Sequence, residues 1–279
     1  MGAYMTLKRI GLVLLIAAVA GMLFVASGLE KKEKPELIGT LRCEAGEYEV
    51  AVLQDGIKLY DSAGELKAQY KPGDMEGVIV SCCISDIDGD SDEELLVIEG
   101  DGKEFYGNKL VMLSYDNGLI KSYEREFEEL NPWKVQTCDV DGDQRREIAL
   151  GVYKEAAFHP VMAKRPFLYH WDKGDIVPVW RGSRLSRPFD DYIFFDIDAD
   201  KKDEIISIER LQEGNALINA YKWAGFGFES IAESMPYEDI LTLVTEHNEK
   251  ESLLVQVREG GQQRWIELEK AGEGLVEKK

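Results

Sequence analysis

The residues of this chain best suited to chemistry are acidic, and they recur in one order. Asp86-Ile-Asp-Gly-Asp-Ser-Asp-Glu-Glu94, Asp139-Val-Asp-Gly-Asp-Gln-Arg-Arg-Glu147 and Asp196-Ile-Asp-Ala-Asp-Lys-Lys-Asp-Glu204 each carry carboxylates at the first, third, fifth and ninth positions. Carboxylates packed this closely repel one another unless a cation neutralises them, and hard oxygen donors at this density suit Ca²⁺. The expected side-chain ligands are Asp86, Asp88, Asp90 and Glu94 in the first loop, and Asp139, Asp141, Asp143 and Glu147 in the second. Asp196, Asp198, Asp200 and Glu204 make up the third set. The seventh residues, Asp92, Arg145 and Lys202, would contribute only a backbone carbonyl, so their identity matters little. The competing reading is an acidic turn left in water. A helix–loop–helix calcium site is a poorer match, because it needs flanking helices and a Glu at position 12.

Strand-forming sequence stands on both sides of each loop. The loops begin at Asp86, Asp139 and Asp196, 53 and 57 residues apart, and a unit of that length holds about four short strands. The second unit reads as Val78–Ser85, Glu94–Gly100, Lys109–Tyr115 and Leu119–Phe127. The third reads as Lys134–Cys138, Glu147–Tyr153, Arg165–Trp171 and Ile176–Trp180, and the fourth as Tyr192–Phe195, Glu204–Arg210, Ala216–Trp223 and Phe226–Glu233. Turn signals and strand candidates on the flanks indicate two further units without acidic loops. The expected fold is all-β: a β-propeller of four-stranded blades, five in number with four as the alternative. The blades would span about 37–75, 76–132, 133–190, 191–236 and 237–279.

The chain has 279 residues, is 44% hydrophobic, and carries a formal net charge of −20 with a pI near 4.6. Such a charge argues against a general nucleic-acid or anionic-membrane binder. Lys8-Arg9 precede an apolar run of 17 residues, Ile10–Ala26, and Ala26-Ser-Gly28 offers small residues for signal cleavage. Residues 1–28 are therefore expected to be a hydrophobic helix, either a signal anchor or a signal peptide. Residues 29–36 follow as a charged spacer, with the domain outside the cytoplasm. Extracellular Ca²⁺ is plentiful enough to fill even weak sites. The four cysteines are too few for a disulfide scaffold. Cys82 and Cys83, adjacent on one strand, should point to opposite faces. Buried thiols and a bridge from Cys43 to the second unit both remain open.

The acidic lines and their strand context, over about residues 78–235, resemble the FG-GAP/VCBS-type repeats of bacterial surface proteins. Those repeats are related to the calcium hairpins of integrin α-subunit propellers. The usual line has Gly at the fourth and sixth positions. Here the fourth is Gly89, Gly142 and Ala199, and the sixth is Ser91, Gln144 and Lys201. Losing the sixth Gly makes a positive-φ turn costlier. The resemblance implies that all metal hairpins lie on one face of the propeller, leaving the opposite face for other ligands.

On that opposite face a long loop from Glu155 to Arg165 and the connection Trp180–Arg187 are expected. Lys164, Arg165, Trp180, Arg181, Arg184 and Arg187 could gather there to bind a carboxylate, phosphate or sugar; a solvated basic patch is the alternative. The five tryptophans are read mainly as packing between blades. No nucleophile elbow, zinc-protease motif or phosphate loop occurs. Three functions remain: an extracytoplasmic interaction or adhesion module whose partner is an envelope or extracellular protein or polysaccharide, an exported carbohydrate-active enzyme, and a structural subunit of an envelope complex.

Overall fold

The computed structural model describes residues 36–73, 77–102, 105–247 and 251–278. The expected anchor, and the spacer up to residue 35, lie outside the described residues. Among the described residues no helix is long and apolar enough to cross a membrane.

The fold of the described residues is all-β and propeller-like, a succession of four-stranded antiparallel meanders interrupted among them by a single 3₁₀ turn at Glu128–Leu130. The first meander comprises β1 (Glu36–Cys43), β2 (Gly46–Leu53), β3 (Gly56–Tyr60) and β4 (Leu66–Tyr70). The second comprises β5 (Val78–Ser85), β6 (Glu94–Gly100), β7 (Lys109–Tyr115) and β8 (Leu119–Glu126), and the third β9 (Pro132–Cys138), β10 (Glu147–Ala156), β11 (His159–Asp172) and β12 (Asp175–Arg181). The fourth is β13 (Phe189–Phe195), β14 (Glu204–Arg210), β15 (Ala216–Trp223) and β16 (Phe228–Ser234). The last is β17 (Asp239–His247), β18 (Glu251–Glu259), β19 (Gln262–Ala271) and β20 (Gly274–Glu277). The first strands of successive meanders, β1, β5, β9, β13 and β17, lie next to one another.

The stacking explains the composition of the second strands. Side chains alternate across a strand, so a strand sandwiched between two neighbouring sheets must be apolar on both faces and shows no alternation. In β6, Leu95 and Val97 pack with Leu41, Val50, Ile57 and Leu59 of the first meander. Leu96 and Ile98 face the other way, onto Val135, Ile148 and Leu150 of the third. One face of β14 follows the same logic, with Ile206 and Ile208 against Leu243, Leu253 and Val255; its other face buries the polar Ser207 and Glu209. Cys82 and Cys83 divide likewise between the two clusters flanking β5. All four cysteines are free, so there is no Cys43 bridge.

Two features depart from the expected pattern. The Glu155–Arg165 segment is a continuation of the β10–β11 hairpin, paired out to Ala156↔His159. In addition, β20 pairs with β19 and also, in parallel, with β16, at Glu233↔Gly274 and Ser234↔Leu275. The fourth and fifth meanders therefore form one eight-stranded sheet.

The aromatic residues fill gaps between meanders. Trp180 of β12 meets Trp223 and Phe228 of the fourth meander edge-on, with ring centroids 6.4 and 5.0 Å away. Tyr123 meets Trp171 at 5.1 Å and Trp133 meets Tyr192 at 5.9 Å. Gly182 lies against the Trp180 ring, where an added Cβ would come within 2.3 Å of it. Because that ring is held by its aromatic neighbours, Gly182→Ala should destabilise the fold by about 1–3 kcal/mol. Urea unfolding followed by tryptophan fluorescence would check this.

Candidate metal centres

Each acidic loop turns the chain from the first strand of a meander into the second, and three backbone contacts to the carboxylates recur in all of them. The first aspartate also accepts from the fourth N–H in the first two loops, but from the fifth, that of Asp200, in the third. The first aspartate accepts from the sixth residue's N–H: Asp86 from Ser91 at 3.0 Å, Asp139 from Gln144 at 2.9 Å and Asp196 from Lys201 at 2.8 Å. The fifth aspartate accepts from the seventh N–H, at 2.8, 2.8 and 3.1 Å for Asp90, Asp143 and Asp200. The ninth glutamate reaches back under the loop to the second residue's N–H: Glu94 to Ile87, Glu147 to Val140 and Glu204 to Ile197, at 3.0, 3.1 and 3.2 Å. These bonds orient the carboxylates before any ion arrives.

Each loop brings together three of the four carboxylates that the spacing singled out, leaving Asp90, Glu147 and Asp200 outside the groups. One oxygen each from Asp86, Asp88 and Glu94 lies within 4.8 Å of the others, as do those of Asp139, Asp141 and Asp143 and those of Asp196, Asp198 and Glu204. Oxygens that share one Ca²⁺ at 2.3–2.6 Å can stand no more than about 5 Å apart, so each cradle has the span of a calcium site. The ninth glutamates start strands whose first six residues are buried and are themselves buried, Glu94 at 3%, Glu147 at 7% and Glu204 at 0% exposure. Burial, reinforced by the neighbouring aspartates, pushes all three carboxyls up to about 7.

The third loop differs in its surroundings. Among the described residues no lysine or arginine forms an ion pair with the carboxylates of the first or second cradle. In the third, Lys222 of β15 points its ammonium at Asp198, Asp200 and Glu204. Burial works against that charge, but the bonds the ammonium donates to Asp198 and Asp200 outweigh it and raise the lysine above its ordinary range.

The eighth residue has a role that spacing alone did not disclose. Glu93 accepts from the Arg42 N–H at 2.7 Å and its own N–H donates to the Arg42 carbonyl, clasping the first meander. Asp203 does the same to Asp139 of the second loop, at 2.8 Å for both bonds. Arg146, the eighth residue of the second loop, cannot accept such a bond and instead pairs with Asp203 at 2.9 Å. The seventh side chains also serve neighbours: Asp92 accepts from the Glu44 N–H at 2.6 Å, and the Lys202 stem lies against Gly142.

The basic residues expected on the opposite face do not form one patch. Arg165 is fully buried and donates to the carbonyls of Lys154, His159 and Val161, bracing the extended hairpin. Arg187 is held by Glu209 and Glu233 at 2.9 and 2.8 Å. Lys164 donates to the Asp190 carbonyl and lies 4.2 Å from the Trp133 ring centre; burial lowers its pKa. Trp180 belongs to the aromatic packing described above. Only the side chains of Arg181 and Arg184 remain exposed. At the same end of the strands Lys134 pairs with Asp191, and Arg210 links Asp190 to Asp239, which also holds Arg258.

No protein-family model matches this sequence, and no curated protein does. Among solved structures, the fold is similar to that of a protein from Bacteroides uniformis ATCC 8492 provisionally described as a 6-phosphogluconolactonase. The TM-score is 0.52 at 10% identity, with 87% of this chain and 69% of that one covered. At such low identity the likeness is one of fold alone.

Two predictions follow from the cradles. The folded protein holds the ninth glutamates at about 7 against an ordinary 4.5, so between those values it binds more protons than the unfolded chain. Without metal its stability should therefore fall as pH rises through that window and level off above it. Melting temperatures in EDTA at pH 5 and pH 8 would show the drop, and Glu94→Gln should reduce it. Separately, Ala199 is held at φ 60° and Lys201 at φ 69°, a region that disfavours side-chain-bearing residues. Ala199→Gly should stabilise the protein by up to about 1 kcal/mol once the glycine's own entropic cost is subtracted, measurable by urea titration.

Proposed function

We propose that this protein is a five-bladed, calcium-binding β-propeller held outside the cytoplasm by its N-terminal apolar segment. There it acts as an interaction or adhesion module for an envelope or extracellular protein or polysaccharide. The observation that carries this reading is the repeated cradle: a buried glutamate beneath clustered aspartates, with no cationic side chain among the described residues paired to it in the first two loops. Charge of that kind calls for a bound cation, and an all-oxygen donor set favours Ca²⁺ over softer-ligand metals. Asp86, Asp88, Asp90 and Glu94 would hold one ion, and Asp139, Asp141, Asp143 and Glu147 another, with the carbonyls of Asp92 and Arg145 completing the shells.

An ion in either loop would tie the first strand of a blade to the second. Through Glu93 the first loop also grips the preceding blade, so binding would stiffen a contact between units as well as a hairpin. The blade count is supported by the five successive meanders. Export is supported by Lys8-Arg9 and the run Ile10–Ala26, a length that as a helix would cover roughly 26 Å of a ~30 Å hydrocarbon core at about 1.5 Å per residue. The face away from the loops suits a partner: the β10–β11 hairpin projects there with Phe158 at 93%, Val161 at 54% and Met162 at 43% exposure, and Arg181 and Arg184 lie at the same end. Apolar residues exposed together on a projecting hairpin are a common mark of contact surfaces.

Ligands that bind only the folded state stabilise it by mass action. Scanning calorimetry should show a higher melting temperature in millimolar Ca²⁺ than in EDTA, and Asp86→Ala should reduce the difference. Equal melting temperatures in the two conditions would refute the calcium reading.

A further inference from the structure

The third loop already contains a cation of its own. Lys222 Nζ lies 2.7 Å from Asp198 Oδ2, 2.7 Å from Asp200 Oδ2 and 3.3 Å from Glu204 Oε1. Those three residues are the third, fifth and ninth of the loop, so a single ammonium meets two of the three carboxylates, Asp198 and Glu204, whose oxygens converge with one of Asp196. Asp198 Oδ1 and Glu204 Oε1 stay buried without a hydrogen bond. Two cations cannot occupy one such cradle, because each would meet the other across the same oxygens at only a few ångströms.

Strand register explains why this happens in one loop and not in the others. The pairing Ile205↔Tyr221 brings Lys222 opposite Glu204. The equivalent pairing Leu95↔Leu113 puts Ser114 opposite Glu94, and Ile148↔Tyr169 puts His170 opposite Glu147. One position on the third strand of each meander thus faces the ninth glutamate, and it holds Ser, His and Lys in turn. Ser114 bonds to Ser122 at 2.9 Å and takes no part in its cradle. The third loop is also the one with Ala199 at the fourth position and two lysines, Lys201 and Lys202, at the sixth and seventh.

We infer that Lys222 is a built-in counter-ion that replaces calcium in the third loop, so that the protein binds two ions rather than three. This rests on the calcium reading of the first two loops. A tethered ammonium is present at any calcium concentration, so the fourth meander stays closed in the absence of metal and only the second and third respond to it. The residue opposite the ninth glutamate therefore decides whether a loop of this kind takes metal.

Counting bound Ca²⁺ on the full-length protein, by isothermal titration calorimetry and by native mass spectrometry, tests the inference. The wild type should bind two ions, Lys222→Met three and Ser114→Lys one, with circular dichroism confirming that each variant is folded. Three ions on the wild type, or two on both the wild type and a folded Lys222→Met variant, would overturn the inference and leave the calcium reading standing. If Lys222→Met does not fold, Ser114→Lys decides alone: a count still at two overturns the inference. No ions on the wild type would overturn the calcium reading, and the inference with it.

Discussion

Burial of a glutamate beneath each acidic loop is the constraint around which the central part of this molecule is organised. Glu94, Glu147 and Glu204 are the first residues of strands buried on both faces over their first six residues, and a strand packed between two sheets cannot turn its first side chain to water. A carboxylate in that position is costly unless something of opposite charge meets it. The backbone N–H of the loop's second residue offsets part of the cost, and the raised pKa of all three groups shows that a deficit remains. The third hairpin offsets part of that cost with the ammonium of Lys222, although Glu204 is still held at about 7. The first two have no such partner among the described residues, and this difference within one repeated framework is the strongest physical argument for metal.

The loops also bear on how the sheets are joined. Most contact between neighbouring sheets is non-directional apolar packing, and packing of that kind defines a spacing better than a register. The eighth-position clasps supply directional bonds at the same sites: Glu93 on Arg42, and Asp203 on Asp139. Asp139 is at once the first residue of the second cradle and the grip of the third loop, so the state of one cradle bears on the next. The ion-paired residues at the far ends of the strands, from Lys134 and Asp191 through Arg210 to Arg258, provide comparable bonds on the opposite face.

Much of this was legible in the sequence because it depends on near neighbours. A nine-residue acidic line determines its own wrapping, and runs such as Leu95–Ile98 mark strands buried on both faces. β5, β6, β7, β14 and β15 accordingly lie where the residue pattern indicates. What escaped depends on partners distant in the chain. Lys222 is 18 positions beyond Glu204 and reaches it only through the β14–β15 register. The clasp of Glu93 on Arg42 crosses from one meander to another. Arg165 resembled a ligand-binding arginine because it stands near other basic residues, but the extended hairpin surrounds it with carbonyls. The parallel pairing of β20 with β16 involves two residue pairs, too short a stretch to leave a pattern.

The central claim, that buried charge in the first two loops is balanced by an ion and in the third by a lysine, can be seen directly. Crystals grown in Ca²⁺ and measured at a long wavelength would give an anomalous difference map in which calcium stands out from carbon, nitrogen and oxygen. The account predicts two strong peaks, one bounded by Asp86, Asp88 and Glu94 and one by Asp139, Asp141 and Asp143, with Lys222 still seated between Asp198 and Asp200. Empty density in the first two cradles, or a peak in the third with Lys222 swung away, would contradict it.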